Sequence, residues 1–523
     1  MGFTTKSRLP LRAAIALLGL GLGFPAAQAT DLRIGTTGTP TLDPHFMLID
    51  TNIAYNQHIY GALIDQDARG QLHPDLALSW APEGDNAWRF RLRPGVTFHD
   101  GTPFTADDVV FSLQRVPNIP NNPAPYTGAL LGVTEVRKVD DLTVDLVTDG
   151  FVPMLPNQIA KLSILSRHAA EGRGTEEFNQ GRAAIGTGPY RLVRLQGRDR
   201  LQLQRNDSYW GEKPAWNAVE FRVLPNDAAR SAGLLAGDVD LIEFVPLHDA
   251  ARLASTPGIT LHSGSSSRVM FLGVNLDPRV AMVEGRSPLT DPRVRQAISL
   301  AANREGMIRS LLLGYGQAAS QIGIPSMNGY VERQVDRFAP DEARRLLAEA
   351  GYPNGFSTAL LCTNDRYVAD AQVCQALGQM LARIGIRADV QAVPANVYFG
   401  RVRAGNNPAP LFLGAWSNNQ GDAGYTLNNL FHSLDRGRRL GASNRSGYSD
   451  AETDRDIQAA LNERDPARRR ALLLSANRRA TEARVLIPFF TAPVLVASKS
   501  SIRYEVGDSG SSEMTSAMRA FPR

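Results

Sequence analysis

Residues 88–113 read WRFRLRPGVTFHDGTPFTADDVVFSL, and the period of this stretch changes part-way along. Trp88, Phe90 and Leu92 alternate with Arg89, Arg91 and Arg93, the two-residue period of a half-buried strand. Pro94-Gly95 turns the chain, Val96-Thr97-Phe98 resumes it, and Asp100-Gly101 turns it again. A helix is then expected from Thr105, which can cap its first turn with Asp108 three residues on, while Phe104 staples against Val109.

The same mixture extends in both directions. Asp291-Pro292 reads as a helix start, with Val294, Ala297, Ile298 and Ala301 on one face. Ala343, Leu346, Leu347 and Ala350 form a second face, stopped by Gly351 and Pro353. Thr358 to Leu361 reads as a strand, Val373, Leu377, Leu381 and Ile384 as a helix, and Ile386 to Ala392 as a second strand. Strand, helix, strand is a βαβ-like unit, and 523 residues exceed what one core can fill. A mixed α/β protein of several folding units is expected.

Composition narrows the function. Hydrophobic residues make up 43% and charged residues 21%, as in a globular protein with large cores. Lys+Arg number 56 against Asp+Glu 52, and the basic residues are scattered, which gives no nucleic-acid signal. Lys6, Arg8 and Arg12 precede the apolar run from Ala13 to Phe24, and Ala27-Gln28-Ala29 follows. These are the parts of a cleaved secretory signal peptide over 1–29, shorter than a membrane span. Removing its three basic residues lowers the net charge from +4 to +1. Thr30, not cysteine, follows the cleavage point, so a released periplasmic protein is expected rather than a lipoprotein.

No catalytic or metal constellation stands out. The eight histidines (45, 58, 73, 99, 168, 248, 262 and 432) lack metal-ligand spacing, and their expected work is in caps, turns and ordinary polar contacts. Ser265-Ser266-Ser267 reads as a loop rather than a nucleophile. The glycine pairs lack the phosphate-cradling frame, and no cofactor or metal is expected.

Five ordered blocks resemble the extracellular solute-binding protein family 5, the periplasmic dipeptide- and oligopeptide-binding proteins. Residues 88–113 resemble its F-x-L-R-x-G-V-x-F-H-D-G-x-P-F-x-A-D-D-V signature, Gly186 to Tyr190 its G-T-G-P-Y, and Tyr209-Trp210 its Y-W. Residues 291–301 are similar to the V-R-Q-A helix, and Thr41 to Pro44 to the opening loop. Phe98 to Gly101 is read as turn and helix-start chemistry, not as a ligand contact. The resemblance implies a two-lobed, class II-like binding protein with an enlarged, discontinuous first lobe and the ligand cleft between lobes. Its lobe I is expected at 30–268 with the return 490–523, with an extra subdomain around 73–180; lobe II is expected at 269–489. Phe271 to Asn275 would be the first crossing and Phe489-Phe490 the return.

The implied function is that of the periplasmic substrate-binding component of an ABC importer. Such a protein is a monomer that captures a peptide or peptide-like solute and passes it to the permease subunits. The alternatives are a relative for another solute (an opine, oligosaccharide, haem or metal chelate, or antibiotic-like compound) and, more remotely, a secreted hydrolase. Residues 413–431, LGAWSNNQGDAGYTLNNLF, resemble the family's G-W-x-x-D-x-G-D-P-D-N-F loop. Trp416 matches its tryptophan and Asp422 its G-D aspartate, but Asn419 stands where the peptide binders place the acid that holds an α-ammonium. A ligand that is neutral, blocked or differently charged at that end is expected, unless Asp422 takes over the role. Arg366 is the candidate anchor for a ligand carboxylate, against a loop arginine paired with Asp365 or Asp370. Tyr367 and Thr39 are candidate contacts, and Trp416 either stacks on ligand or belongs to the core. Cys362 and Cys374 are expected to form one disulfide in an oxidising compartment, with two buried thiols as the competing reading.

Overall fold

The chain is seen in a computed structural model that describes residues 1–2, 31–67, 70–280, 283, 285–418, 420–506 and 516–523. The signal peptide expected over 1–29 and Asn419 fall outside the described residues, apart from residues 1 and 2.

Ten strands of one eleven-stranded sheet follow each other in space. The order is Ile386–Val393, Phe356–Thr363, Leu411–Ser417, Ile259–Val274, Leu486–Lys499, Leu241–Ile242, Leu32–Thr36, Ala218–Val223, Arg200–Arg205 and Tyr190–Gln196. Gln317–Ala318 is the eleventh and pairs with Leu486–Lys499. The two long central strands, Ile259–Val274 and Leu486–Lys499, are antiparallel and carry the sheet from one lobe into the other. On one side lies a core with Leu272, Val294, Leu360, Leu377 and Phe489. On the other lies a core with Ile34, Tyr190, Phe221, Val494 and Tyr504.

Between these cores the ladder breaks step. Ser265 faces Pro493 and Val269 faces Thr491, so Ser266, Ser267 and Arg268 stand opposite Ala492 alone. The serines expected in a loop are therefore inside a strand, and all three are buried. A β-bulge explains how polar residues are accommodated there: Ser265 and Thr491 join their hydroxyls, and Ser266 Oγ donates to the Ala492 carbonyl at 3.1 Å. The crossing strand also begins earlier than Phe271, at Ile259.

The stretch 88–113 builds part of a second, smaller sheet and the helix that covers it. Ala87–Leu92 lies between Ala77–Glu83 and Thr143–Thr148 in a four-stranded sheet. The helix Ala106–Arg115 packs on it, and the Thr105–Asp108 capping box is present, with Thr105 N–H donating to Asp108 Oδ2 at 2.9 Å. Phe90, Phe98, Phe104 and Val109 share its core.

In lobe II the βαβ unit forms as its periodicity predicts. Phe356–Thr363 and Ile386–Val393 are parallel over eight residue pairs, and the helix Asp370–Ala382 connects them. Gly355 touches Gly385 at their base, where a Cβ would come within 1.9 Å of the Gly385 carbonyl oxygen. Only glycine allows that approach. Cys362 and Cys374, both fully buried, are bridged with their Cα atoms 6.3 Å apart. Closing a loop of this size stabilises a fold by about 3 kcal/mol in the chain-entropy model. Thiol titration of denatured, unreduced protein is expected to find no free group; two thiols per chain would exclude the bridge.

Three histidines act as neutral fasteners inside the first lobe. His99 Nε2–H donates to the Gly188 carbonyl at 3.0 Å, while its Nδ1 accepts from Gly186 N–H. The F-H-D-G turn is thereby tied to the G-T-G-P-Y block. His58 Nδ1–H donates to Ala54 O at 2.7 Å and its Nε2 accepts from Ala517 N–H at 3.1 Å, which fastens the C-terminal return. His45 lies at 2.8 Å from Ser163 O. Burial pushes all three down to about 4. An unfolded histidine titrates near 6.5, so their contribution is complete above that pH and is lost as pH falls towards 4. Stability is expected to fall across this window by up to about 1.4 kcal/mol per pH unit for each histidine. His99→Gln, which cannot charge, should flatten the slope of melting temperature against pH; an unchanged slope removes His99 from the account.

Candidate ligand cleft

The loop after strand Phe356–Thr363 presents Arg366 and Tyr367. Both acids that could have paired with Arg366 accept from backbone N–H groups instead. Asp365 Oδ1 accepts from Ala395 N–H at 2.8 Å. Asp370 Oδ2 accepts from the Thr363 hydroxyl at 2.6 Å and from the backbone N–H groups of Arg366 and Tyr367 at 3.0 and 3.1 Å. The Arg366 guanidinium is exposed and lies 5.8 Å from the centroid of the Tyr367 ring. Tyr367 itself is half-buried and packs against the lobe II core.

From the first lobe, Asp50 lies near enough to feel the charge of Arg366. It opens the helix Asp50–Ile59 and is half-buried. Burial holds its carboxyl above the ordinary range, against the positive charges of Arg268, Lys161 and Arg366. Burial also lowers Lys161, to about 8. Arg268 stands at the strand break between the lobes and its Nε donates to Ser417 Oγ at 3.0 Å. Asp50 thus stands among positive charges from separate parts of the chain, while Lys161 also feels the carboxylates of Asp65 and Asp67.

The lobes touch beyond this cluster. Asn157 Nδ2 donates to Gln420 O at 2.8 Å, and Arg464 pairs with Asp85 at 3.1 Å. Beside the first contact a cavity of about 780 Å³ opens between Met154 and Asn157 of one lobe and Met327, Tyr330, Glu332 and Arg470 of the other. Among the described residues no group of His, Cys, Asp and Glu is placed to hold a metal ion. No helix among them is long and apolar enough to cross a membrane.

The family model for bacterial extracellular solute-binding proteins, family 5 Middle, matches residues 71–438. The chain belongs to this family. Among curated relatives of this solute-binding protein, the glutathione-binding protein GsiB of Salmonella paratyphi A is 28% identical over 475 residues, covering 89% of each chain. GsiB of Escherichia coli O1:K1 / APEC is 27% identical over 479 residues, covering 89% of this chain and 90% of its own. Of solved structures, HbpA2 from Haemophilus parasuis superposes with a TM-score of 0.81 at 23% identity, covering 94% of this chain and 100% of that one. The dipeptide-binding protein from Pseudoalteromonas sp. SM9913 in complex with Met-Leu gives 0.71 at 20%, with 94% and 100% covered. The two-lobed fold is thus shared across distant sequences.

Within this solute-binding protein the Trp416–Asp422 loop is partly structural. Trp416 is half-buried, stacks on Tyr425 at 5.4 Å and donates through Nε1 to Thr426 Oγ1 at 3.1 Å. Asp422 is buried and caps the helix Ala423–Leu430 through Gly424 N–H. It also receives Arg469 on both oxygens at 2.6 and 2.9 Å and Asn328 Nδ2 at 2.8 Å. Four protein donors thus reach its carboxylate, two on each oxygen, and the residue also lines the cavity between the lobes. Thr39 is exposed on the loop after the first strand. Asp50, Lys161 and Arg268 carried no local sequence signal, because no two of them share a motif.

Proposed function

We propose that this chain is the periplasmic substrate-binding component of an ABC importer and that it captures a peptide-like solute with more than one carboxylate, glutathione being the leading candidate. The observation that supports this reading is the exposed Arg366, whose two neighbouring acids, Asp365 and Asp370, each accept from backbone N–H groups. Arg268 adds positive charge, which suits a second carboxylate. Asp50 supplies the anion that an asparagine at 419 does not, and so suits a ligand ammonium. Tyr367, Trp416 and Thr39 are further contacts in this proposal. The curated relatives named for glutathione support the choice of solute.

The proposal places the lobe boundaries at 268/269 and 489/490, beside the broken ladder, so that the lobes close by bending there. The mature protein begins at Thr30, works as a monomer in the periplasm and hands its solute to the permease. The test is mass spectrometry of the solute that co-purifies from periplasm, followed by calorimetry of the emptied protein with reduced glutathione. Recovery of glutathione or a related acidic peptide supports the reading. A non-peptide solute, with no heat from glutathione or short peptides, overturns it.

A further inference from the structure

We propose that Asp370 is the positioning residue of the ligand cleft: its carboxylate, held between the two ends of the Cys362–Cys374 bridge, shapes the loop that aims Arg366 and Tyr367 at the ligand. This inference rests on the reading of Arg366 as the ligand's anchor. Sequence alone made Asp370 a candidate partner for the Arg366 side chain. The geometry gives it a different task.

Asp370 is buried at the first turn of the helix Asp370–Ala382, and no side chain caps that helix from the preceding residue. One oxygen, Oδ2, gathers three donors from the loop: the Thr363 hydroxyl at the strand end and the N–H groups of Arg366 and Tyr367. The other, Oδ1, accepts from Ala371 N–H at 2.9 Å and so satisfies the helix itself. A residue that only terminated the helix would need the second set of contacts and not the first. Two of the three donors collected on Oδ2 are the backbone N–H groups of the residues read as ligand contacts.

One residue of the loop, next to this carboxylate, has a disfavoured backbone conformation. Ala369 sits in the left-handed region at φ 55°, where an alanine is disfavoured. Such conformations persist only where surrounding contacts over-determine them, and they gather at ligand clamps. The bridge supplies the rest of the frame. Cys362 precedes Thr363 on the strand and Cys374 lies one turn beyond Asp370 on the helix, so both anchor points of the loop belong to one cross-linked unit. Because the two N–H groups are fixed, the Arg366 side chain leaves the loop in a fixed direction with its guanidinium uncommitted. Preorganisation of this kind strengthens binding without adding a contact to the ligand.

The experiment combines hydrogen exchange on the ligand-free protein with calorimetry using reduced glutathione, for Asp370→Ala, Arg366→Ala and the double variant. In Asp370→Ala the amides of Arg366 and Tyr367 are expected to exchange at least about tenfold faster, while the strands of both lobes keep their protection. Affinity for glutathione is expected to fall about tenfold, and in the Arg366→Ala background the same change should cost almost nothing more. Asp370→Asn, which keeps a carbonyl acceptor, should recover part of the loss. Unchanged amide exchange, or losses that simply add in the double variant, overturn the positioning role. Should Arg366→Ala alone leave affinity intact, the anchoring reading fails, and the exchange result alone then decides whether Asp370 shapes the loop.

Discussion

Arg366→Ala is expected to weaken binding of reduced glutathione at least tenfold, ~1.4 kcal/mol, while changing stability by less than about 0.5 kcal/mol. The separation of the two effects follows from the environment of the side chain. It is exposed and its only ring contact, with Tyr367, is loose at 5.8 Å, so little folding energy resides in it. A ligand carboxylate closed into the cleft would instead receive two parallel, charge-assisted hydrogen bonds. Arg366→Lys should fall between, since it keeps the charge and loses the planar fork. Calorimetry giving wild-type affinity for Arg366→Ala would reduce the residue to a surface arginine.

Asp422→Ala should act in the opposite way, with a large loss of stability, about 3–5 kcal/mol. The pair with Arg469 is buried on both sides, with side-chain exposures of 5% and 8%. Removing the carboxylate strands a guanidinium among the helices of lobe II and uncaps Ala423–Leu430. The uncapping alone is worth ~1 kcal/mol. Urea unfolding is the appropriate measurement. A loss below about 1 kcal/mol would contradict the ion pair as described. A variant Asp422→Asn of normal stability that no longer bound glutathione would return the residue to the ligand.

Elements defined by local pattern were legible in the sequence, and features assembled across distance were not. The Thr105–Asp108 box, the Asp291-Pro292 helix start and the βαβ unit of 356–393 each depend on residues within one or two turns of each other. The serine run at 265–267 misled because polar, small residues mark loops in most contexts, whereas here Thr491, 226 residues away, supplies the hydroxyl that makes a buried strand tolerable. His99 was read as turn chemistry, but its partner carbonyl lies 89 residues further on. At the cleft, Arg366 and Tyr367 were legible from a strand–loop–helix pattern and a family resemblance. Asp50, Lys161 and Arg268 were not, since they stand more than a hundred residues apart in the chain. The donors that reach Asp422 were hidden as well, since Arg469 and Asn328 lie 47 and 94 residues away.

The placement of Leu486–Lys499 has a consequence for how the chain comes to be folded. This strand lies between Leu241–Ile242 and Ile259–Val274, in the middle of the large sheet. A polypeptide growing from its N-terminus therefore carries two half-sheets with unpaired inner edges until nearly its last forty residues have been made. Pairings of such sequence separation make for slow folding. The late strand acts as the keystone of both lobes, and a chain truncated before Leu486 would keep helices and hairpins but could not complete either one.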